Sequence, residues 1–238
     1  GIRGNSKNKS TNEITSGTSF VNIVSCFDPD GVNQLEKLQP TVTPVSGESA
    51  DTALKKECGL KFVGADLSGS GTERVFFNGA QIPYSDFKNA NLQNVDFGTS
   101  EVWKQGVNYL KQPINWKTDL TGCDFSSSIF DTGTIFTGAT LDNANFTGNK
   151  TLIGNTSFTI TSAANVNFNE ADLSGCLFKP HGDITELHMD GALFEKASIK
   201  YCNFSQVRFN NVQFGSKANP LDLDYVKFLW MNVIKIIT

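Results

Sequence analysis

The chain has 238 residues, a net charge of −4, 39% hydrophobic and 18% charged residues. That balance supports a buried core and excludes global disorder. It lacks both the basic surplus of a phosphate-backbone binder and the acid density of a strong polyanion, and no apolar run reaches the roughly 18 residues that a membrane span needs.

Residues 1–19, rich in Gly, Ser, Thr, Asn and Lys, read as a flexible tail. An apolar stretch follows from Phe20 to Val24, then the turn signal Asp28-Pro29-Asp30-Gly31. Val32 to Leu38 has room for one or two helical turns before Pro40. Residues 20–58 are expected to cap what comes next. Cys26 and Cys58 lie in this part and form a candidate disulfide if the compartment is oxidising.

From Phe62 onward a large apolar residue recurs every five positions: Leu67, Phe77, Ile82, Phe87, Leu92 and Phe97, with Thr72 the one break. The series resumes at Leu120, Phe125 and Phe130. One extra residue, Gly133, then shifts it to Phe136, Leu141 and Phe146. Later frames hold Phe158, Phe168, Leu173 and Phe178, then Met189, Phe194, Ile199, Phe204, Phe209 and Phe214, and last, more weakly, Leu223, Phe228 and Val233. Two positions before each large residue sits a slim one, such as Ala65, Ala90, Cys123, Ala144 or Cys202, and Asp or Asn commonly lies between them.

A period of five suits neither regular element. On an α-helix residues five apart lie about 140° apart around the axis, and on a flat strand they fall on opposite faces. The pattern works only if the chain turns a corner in each pentad. The slim and the large residue then both point inward, and the other three form the corner, where Gly, Asn, Ser and Thr suit the turn.

Segments such as Ala65-Asp66-Leu67-Ser68-Gly69, Ala90-Asn91-Leu92-Gln93-Asn94, Ala144-Asn145-Phe146-Thr147-Gly148 and Ala171-Asp172-Leu173-Ser174-Gly175 carry the motif A(D/N)LXX. The chain thereby resembles the pentapeptide-repeat family over roughly residues 60–235, with departures at 100–117, 149–165 and 179–186. The resemblance implies an all-β fold: a right-handed quadrilateral β-helix of four pentapeptides per coil and about seven coils, spanning 59–238, with 1–58 as tail and N-terminal cap. Coils stacked at about 4.8 Å would make a rod roughly 30–35 Å long.

The insertion at 100–117 holds Trp103, Tyr109 and Trp116; Ser100 is placed to cap a short helix there. Either its rings fold back onto the rod or it is a recognition element. At the other end, Tyr225, Phe228 and Trp230 lie in an apolar stretch that either closes the rod or meets a partner or a second copy. Cys123, Cys176 and Cys202 fall at the slim inward position and read as small buried side chains; a disulfide or metal site among them would need adjacent coils on one side.

No catalytic, cofactor-binding or metal-binding motif is present. The two histidines, His181 and His188, read as surface residues. The many Asp are explained by the repeat and expected to be solvated. The Asn-x-Ser/Thr triplets are likewise a by-product of the repeat.

Function is expected to be that of a non-catalytic scaffold for protein–protein interaction, with a protein partner or larger assembly, or a homodimer through the C-terminal end, and with no cofactor, no direct nucleic-acid contact and no membrane span. The family also offers two alternatives, mimicry of duplex DNA to inhibit topoisomerases and the recognition module of a secreted bacterial effector. Mimicry needs a continuous acidic face, which Lys61, Lys88, Lys117, Lys196 and Lys200 interrupt. The compartment stays open between cytoplasm, a processed organelle lumen of the thylakoid kind, and secretion.

Overall fold

The structure, a computed structural model, describes residues 2–4, 19–21, 44–49, 52–53, 56, 59–69, 74–99, 117–152 and 156–228. From residue 59 onward the described chain winds into a four-sided β-helix, right-handed as parallel crossover connections are. Every coil-to-coil bridge is parallel. On the first face the ladder runs Lys61, Asp86, Asp124, Asn145, Asn167, Leu193 and Gln213. The third face carries Val75–Phe76 beside Val95–Asp96, and Ser157–Ile160 beside Leu177–Pro180, Asn203–Phe204 and Lys227–Phe228.

The corner in each pentad is a tight turn. The Ala90 N–H donates to the Phe87 carbonyl at 2.9 Å and the Ala144 N–H to the Leu141 carbonyl at 3.0 Å. The second central residue of the turn takes positive φ: 56° at Asn89, 56° at Asn94, 59° at Asn143 and 66° at Gly122. A type II turn demands that conformation, and only Gly and Asn adopt it cheaply. This is why those two residues crowd the corners of the sequence.

The outward Asp and Asn between the two inward residues do more than face water. Each accepts the amide two positions on: Ser126 N–H to Asp124 Oδ1 at 2.8 Å, Gly98 to Asp96 at 2.7 Å, Thr147 to Asn145 at 3.1 Å, and Ser205 to Asn203 at 3.0 Å. The expectation of merely solvated acids is corrected accordingly. They are side-chain turns that hold the corner's first amide.

Inside, phenylalanine occupies two opposite faces and Leu, Ile or Met mostly the other two. One column stacks Phe62, Phe87, Phe125, Phe146, Phe168, Phe194 and Phe214 with ring centroids 5.0–5.6 Å apart. The second stacks Phe77, Phe97, Phe136, Phe158, Phe178, Phe204 and Phe228 at 4.7–5.7 Å. Across the rod the two columns meet edge to face, as Phe87 does Phe97 at 5.6 Å and 85°. Negative ring faces thus receive positive ring edges.

The slim inward residues close the remaining space, and several of those with a hydroxyl or thiol donate to the coil before, whereas the Ser85 hydroxyl accepts the Leu60 amide. Ser128 Oγ reaches the Phe87 carbonyl at 2.7 Å, Thr134 Oγ1 that of Leu92 at 2.9 Å, and Cys123 Sγ that of Ile82 at 3.2 Å. Burial pushes the Cys123 thiol far above its ordinary pKa.

Extra residues leave the coil only at corners. Leu193 lies beside Gln213, twenty residues on, but Asn167 lies beside Leu193, twenty-six on, and Asp86 beside Asp124, thirty-eight on. Gly133 produces the expected one-residue shift: Asn91 pairs with Ile129, and Asp96 with Ile135. The departures are narrower than the sequence suggests. Leu152, Phe158 and Ala163 are buried rungs, and the later loop begins only at His181, after Pro180.

At the N-terminal side Ser49 caps a helical turn at Thr52, Ala53 and Lys56, its Oγ accepting the Thr52 amide at 3.1 Å. Gly59 then crosses over Tyr84 so closely that a Cβ would collide with its carbonyl. Ile2–Gly4 is a strand paired antiparallel with Ser19–Val21 and, through Arg3 and Phe76, with the rod's edge. Composition predicted a tail there; the unpaired edge of the third face instead supplies backbone partners that outweigh low hydrophobicity. The helical turns expected at Val32 to Leu38 lie outside the described residues.

Candidate interaction surface

Among the described residues the interior is filled by the ladder's own side chains, so the search for recognition turns to outward positions. Tyr201 and Tyr225 stand out among these. Their rings stack at 5.0 Å and 9°, and they are 60% and 74% exposed. Each occupies the left-handed corner position, with φ of 60° and 58°, where Gly175 stands one coil earlier. Two large aromatic side chains thus sit in backbone that costs a non-glycine residue about 1 kcal/mol or more, and they bury little in return.

Charge frames the pair. Lys200 Nζ lies 2.5 Å from Asp222 Oδ2, and both side chains are about half exposed. The hydrogen bond between them raises Lys200 above its ordinary range and lowers Asp222 below its own. Asp222 also accepts the Asp224 amide at 2.9 Å. Leu223 beside it is exposed.

Of the residues singled out from sequence, Tyr225 is therefore on the surface and Phe228 in the ladder. The Phe228 ring stacks on Phe204 at 5.7 Å and meets Phe214 edge-on at 5.9 Å, as the last described rung of its column. Trp103, Tyr109, Trp116, Trp230, Cys26 and Cys58 lie outside the described residues. Tyr201 was missed; the signal for it was a tyrosine at the turn position that elsewhere favours Asn and Gly.

The fourth face carries a polar cluster. Arg208 Nη2 lies 2.9 Å from His188 Nδ1 and 3.4 Å from Asp190 Oδ2, and Asn210 Nδ2 donates to Asp190 Oδ1 at 2.9 Å. It is an exposed hydrogen-bonded strip across neighbouring coils. Among the described residues no three His, Cys, Asp or Glu side chains converge in a way that could hold a metal ion, and no helix is long and apolar enough to cross a membrane.

The sequence profile of the family described as Pentapeptide repeats matches eight copies, over residues 61–98 and 116–149. These stretches are pentapeptide repeats. The profile falls on coils whose ladder and corners are those just described, and the same geometry continues to Phe228. Among solved structures, the chain is similar to Rfr23, a pentapeptide repeat protein from the cyanobacterium Cyanothece 51142, with 16% identity, 75% of this chain and 91% of that one covered, and a TM-score of 0.26. It is also similar to QnrB1, a plasmid-mediated fluoroquinolone resistance protein, with 15% identity, 71% and 91% coverage and a TM-score of 0.23. HetL of Nostoc sp. strain PCC 7120, involved in heterocyst differentiation regulation, gives 14%, 71% and 86%, and 0.17. Scores this low carry no argument about role. No curated protein matches the chain.

Proposed function

We propose that this protein is a non-catalytic scaffold that binds a protein partner, and that the stacked Tyr201–Tyr225 pair is part of the surface that does so. The observation that carries the reading is the pair itself. Two aromatic rings are held on the outside, in strained backbone, where smaller residues would be more stable. Strain that the fold does not need is commonly kept for function, and exposed tyrosines are the anchors that protein interfaces favour.

Duplex mimicry gains no support from this surface. The outward ladder of the first face reads Lys61, Asp86, Asp124, Asn145, Asn167, Leu193, Gln213, which breaks the acidic run after two carboxylates.

The test uses cross-linking capture from the native source with the wild-type chain and with Tyr201→Asn/Tyr225→Asn. Asparagine suits the left-handed corner, so the rod persists while the aromatic surface disappears. A partner held by wild type and lost by the double variant supports the proposal. Equal recovery of every partner by both chains refutes the role of this surface.

A further inference from the structure

Corner side chains in this rod lean one way, onto the corner of the following coil. The Tyr84 ring fills the space in front of Gly122, and Asn165 Oδ1 that in front of Gly191, so that a Cβ at either glycine would collide with them. Both are successive corners: the Tyr84 amide donates to the Thr121 carbonyl and the Asn165 amide to that of Asp190, each at 2.7 Å. The same register aligns Gly175, Tyr201 and Tyr225, because the Gly175 amide donates to the Lys200 carbonyl at 2.8 Å and the Tyr201 amide to that of Asp224 at 3.2 Å. A side chain at position 175 would therefore lie against the Tyr201 ring. Glycine supplies none, so one face of that ring is covered by Tyr225 and the other is bare.

The charges beside the bare face are acidic. Asp172 stands in the coil of Gly175, three residues before it, and is bridged to Ser198, three residues before Tyr201. Its Oδ1 accepts the Ser174 amide at 3.0 Å and the Ser174 hydroxyl at 2.7 Å, which leaves Oδ2 without a hydrogen bond. Asp222 and Asp224 follow on the last described coil. Against these three carboxylates stands one ammonium, Lys200, and it is committed to Asp222. Lys227 of the same coil lies on the third face, beside Asn203. Glu170 and Lys196, at the corner before, are paired with each other at 3.5 Å.

We propose that the bare face of Tyr201 seats an arginine side chain of the partner protein, its guanidinium stacked on the ring over Gly175 and its charge answered by the carboxylates on the second-face side, Asp172 first. This rests on the reading of the tyrosine pair as an interface and names the chemistry that the interface accepts. A guanidinium is planar and weakly hydrated, so it lies flat on a ring while its N–H groups point sideways toward carboxylates. An ammonium is a compact, strongly hydrated charge and does the first of these poorly. An uncharged ring would fill the same gap and leave the acids beside it unanswered.

The full chain, isotope-labelled in its tyrosine rings, is titrated with triarginine and separately with trilysine, and the ring signals are followed by NMR. Tyr201→Phe and Tyr225→Phe assign them. Triarginine is expected to shift both signals saturably, and trilysine to need at least about threefold more peptide for the same shift. Gly175→Asn suits the left-handed corner, where φ is 79°, and puts a side chain on the bare face; it is expected to abolish the shifts. Asp172→Asn keeps the side-chain turn, as Asn145 does, and is expected to weaken binding about threefold. Native β circular dichroism is required of each variant, and the comparison of the two peptides needs no variant. The inference is overturned if triarginine leaves the Tyr201 signal unmoved, if trilysine binds as tightly, or if folded Gly175→Asn or Asp172→Asn binds as well as the native chain. The peptides need no native partner, so this failure is distinct from that of the capture experiment. Unmoved signals, together with a partner lost by Tyr201→Asn/Tyr225→Asn, reject arginine and keep the interface; equal capture by both chains rejects the interface.

Discussion

Replacing Phe146 by alanine tests the ladder at its centre. The ring is fully buried, stacks on Phe125 at 5.0 Å and on Phe168 at 5.1 Å, and meets Phe136 and Phe158 edge-on, each at 5.9 Å. Truncating such a side chain costs about 3–5 kcal/mol when the surroundings cannot collapse. Here they cannot, because backbone bridges on both sides, Asp124 with Asn145 and Asn145 with Asn167, fix the coil spacing. Phe62 is the control. It lies at the first rung, is only partly buried, and has two ring partners, Phe77 and Phe87. Its truncation should cost about half as much by the same reasoning. With a guanidinium m-value of about 4 kcal/mol/M for a chain this size, Phe146→Ala should lower the midpoint by about 1 M and Phe62→Ala by about 0.5 M. Equilibrium denaturation followed by circular dichroism reads both. Equal shifts, or a shift below about 0.3 M for Phe146→Ala, would refute the view that a rung's value is set by rings on both sides.

The remaining predictions concern corners and ends. Tyr201→Asn/Tyr225→Asn should leave the melting temperature unchanged or raise it, since asparagine relieves left-handed strain of about 1 kcal/mol per site; a fall of several degrees would mean that the stacked rings hold the rod together. Asp124→Ala should destabilise by about 1 kcal/mol by freeing the Ser126 amide, whereas Asp124→Asn should be nearly neutral because Asn145 and Asn203 make the same turn. Equal losses would assign the effect to charge instead. The Lys200–Asp222 pair should tie the last described coil most firmly at neutral pH. Asp222 has a folded pKa below its ordinary 3.8, so its contribution is complete above that value and is lost as pH falls through the lower one. Lys200 is raised above its ordinary 10.5, so its contribution is complete below that value and is lost as pH rises through the higher one. Hydrogen-exchange protection of the Lys227 amide, bonded to the Cys202 carbonyl, should drop at both extremes; protection that stays flat into strong acid contradicts this.

The inward positions were legible because each is over-determined: Phe87, Leu92 and Phe97 recur at a spacing that no helix or flat strand can use. The one-residue slip at Gly133 was legible for the same reason, since rings resume on either side of it. The turns made by Asp124 and Asp172 were not, because an acid that bonds its own backbone and one that merely faces water look alike in sequence. Nor was the alignment of Cys176 with Cys202 in adjacent coils, which follows from Leu177 pairing with Asn203. It depends on six residues leaving the coil after Pro180, and a loop's length does not say at which corner it departs. Tyr201 was hidden by a different cause: its oddity is a backbone angle, which becomes visible only once the corner's handedness is known.

The coil-to-coil offsets, which range from twenty to thirty-nine residues, carry a practical consequence. Rungs stay stacked whatever the contour length between them, so the number of residues in the chain is a poor gauge of how tall the rod is. A foreign peptide spliced between Asp183 and Ile184, both exposed, would be carried outward while every phenylalanine kept its neighbours. The protein is in this sense a mounting rail, whose corners accept cargo of arbitrary size at fixed heights.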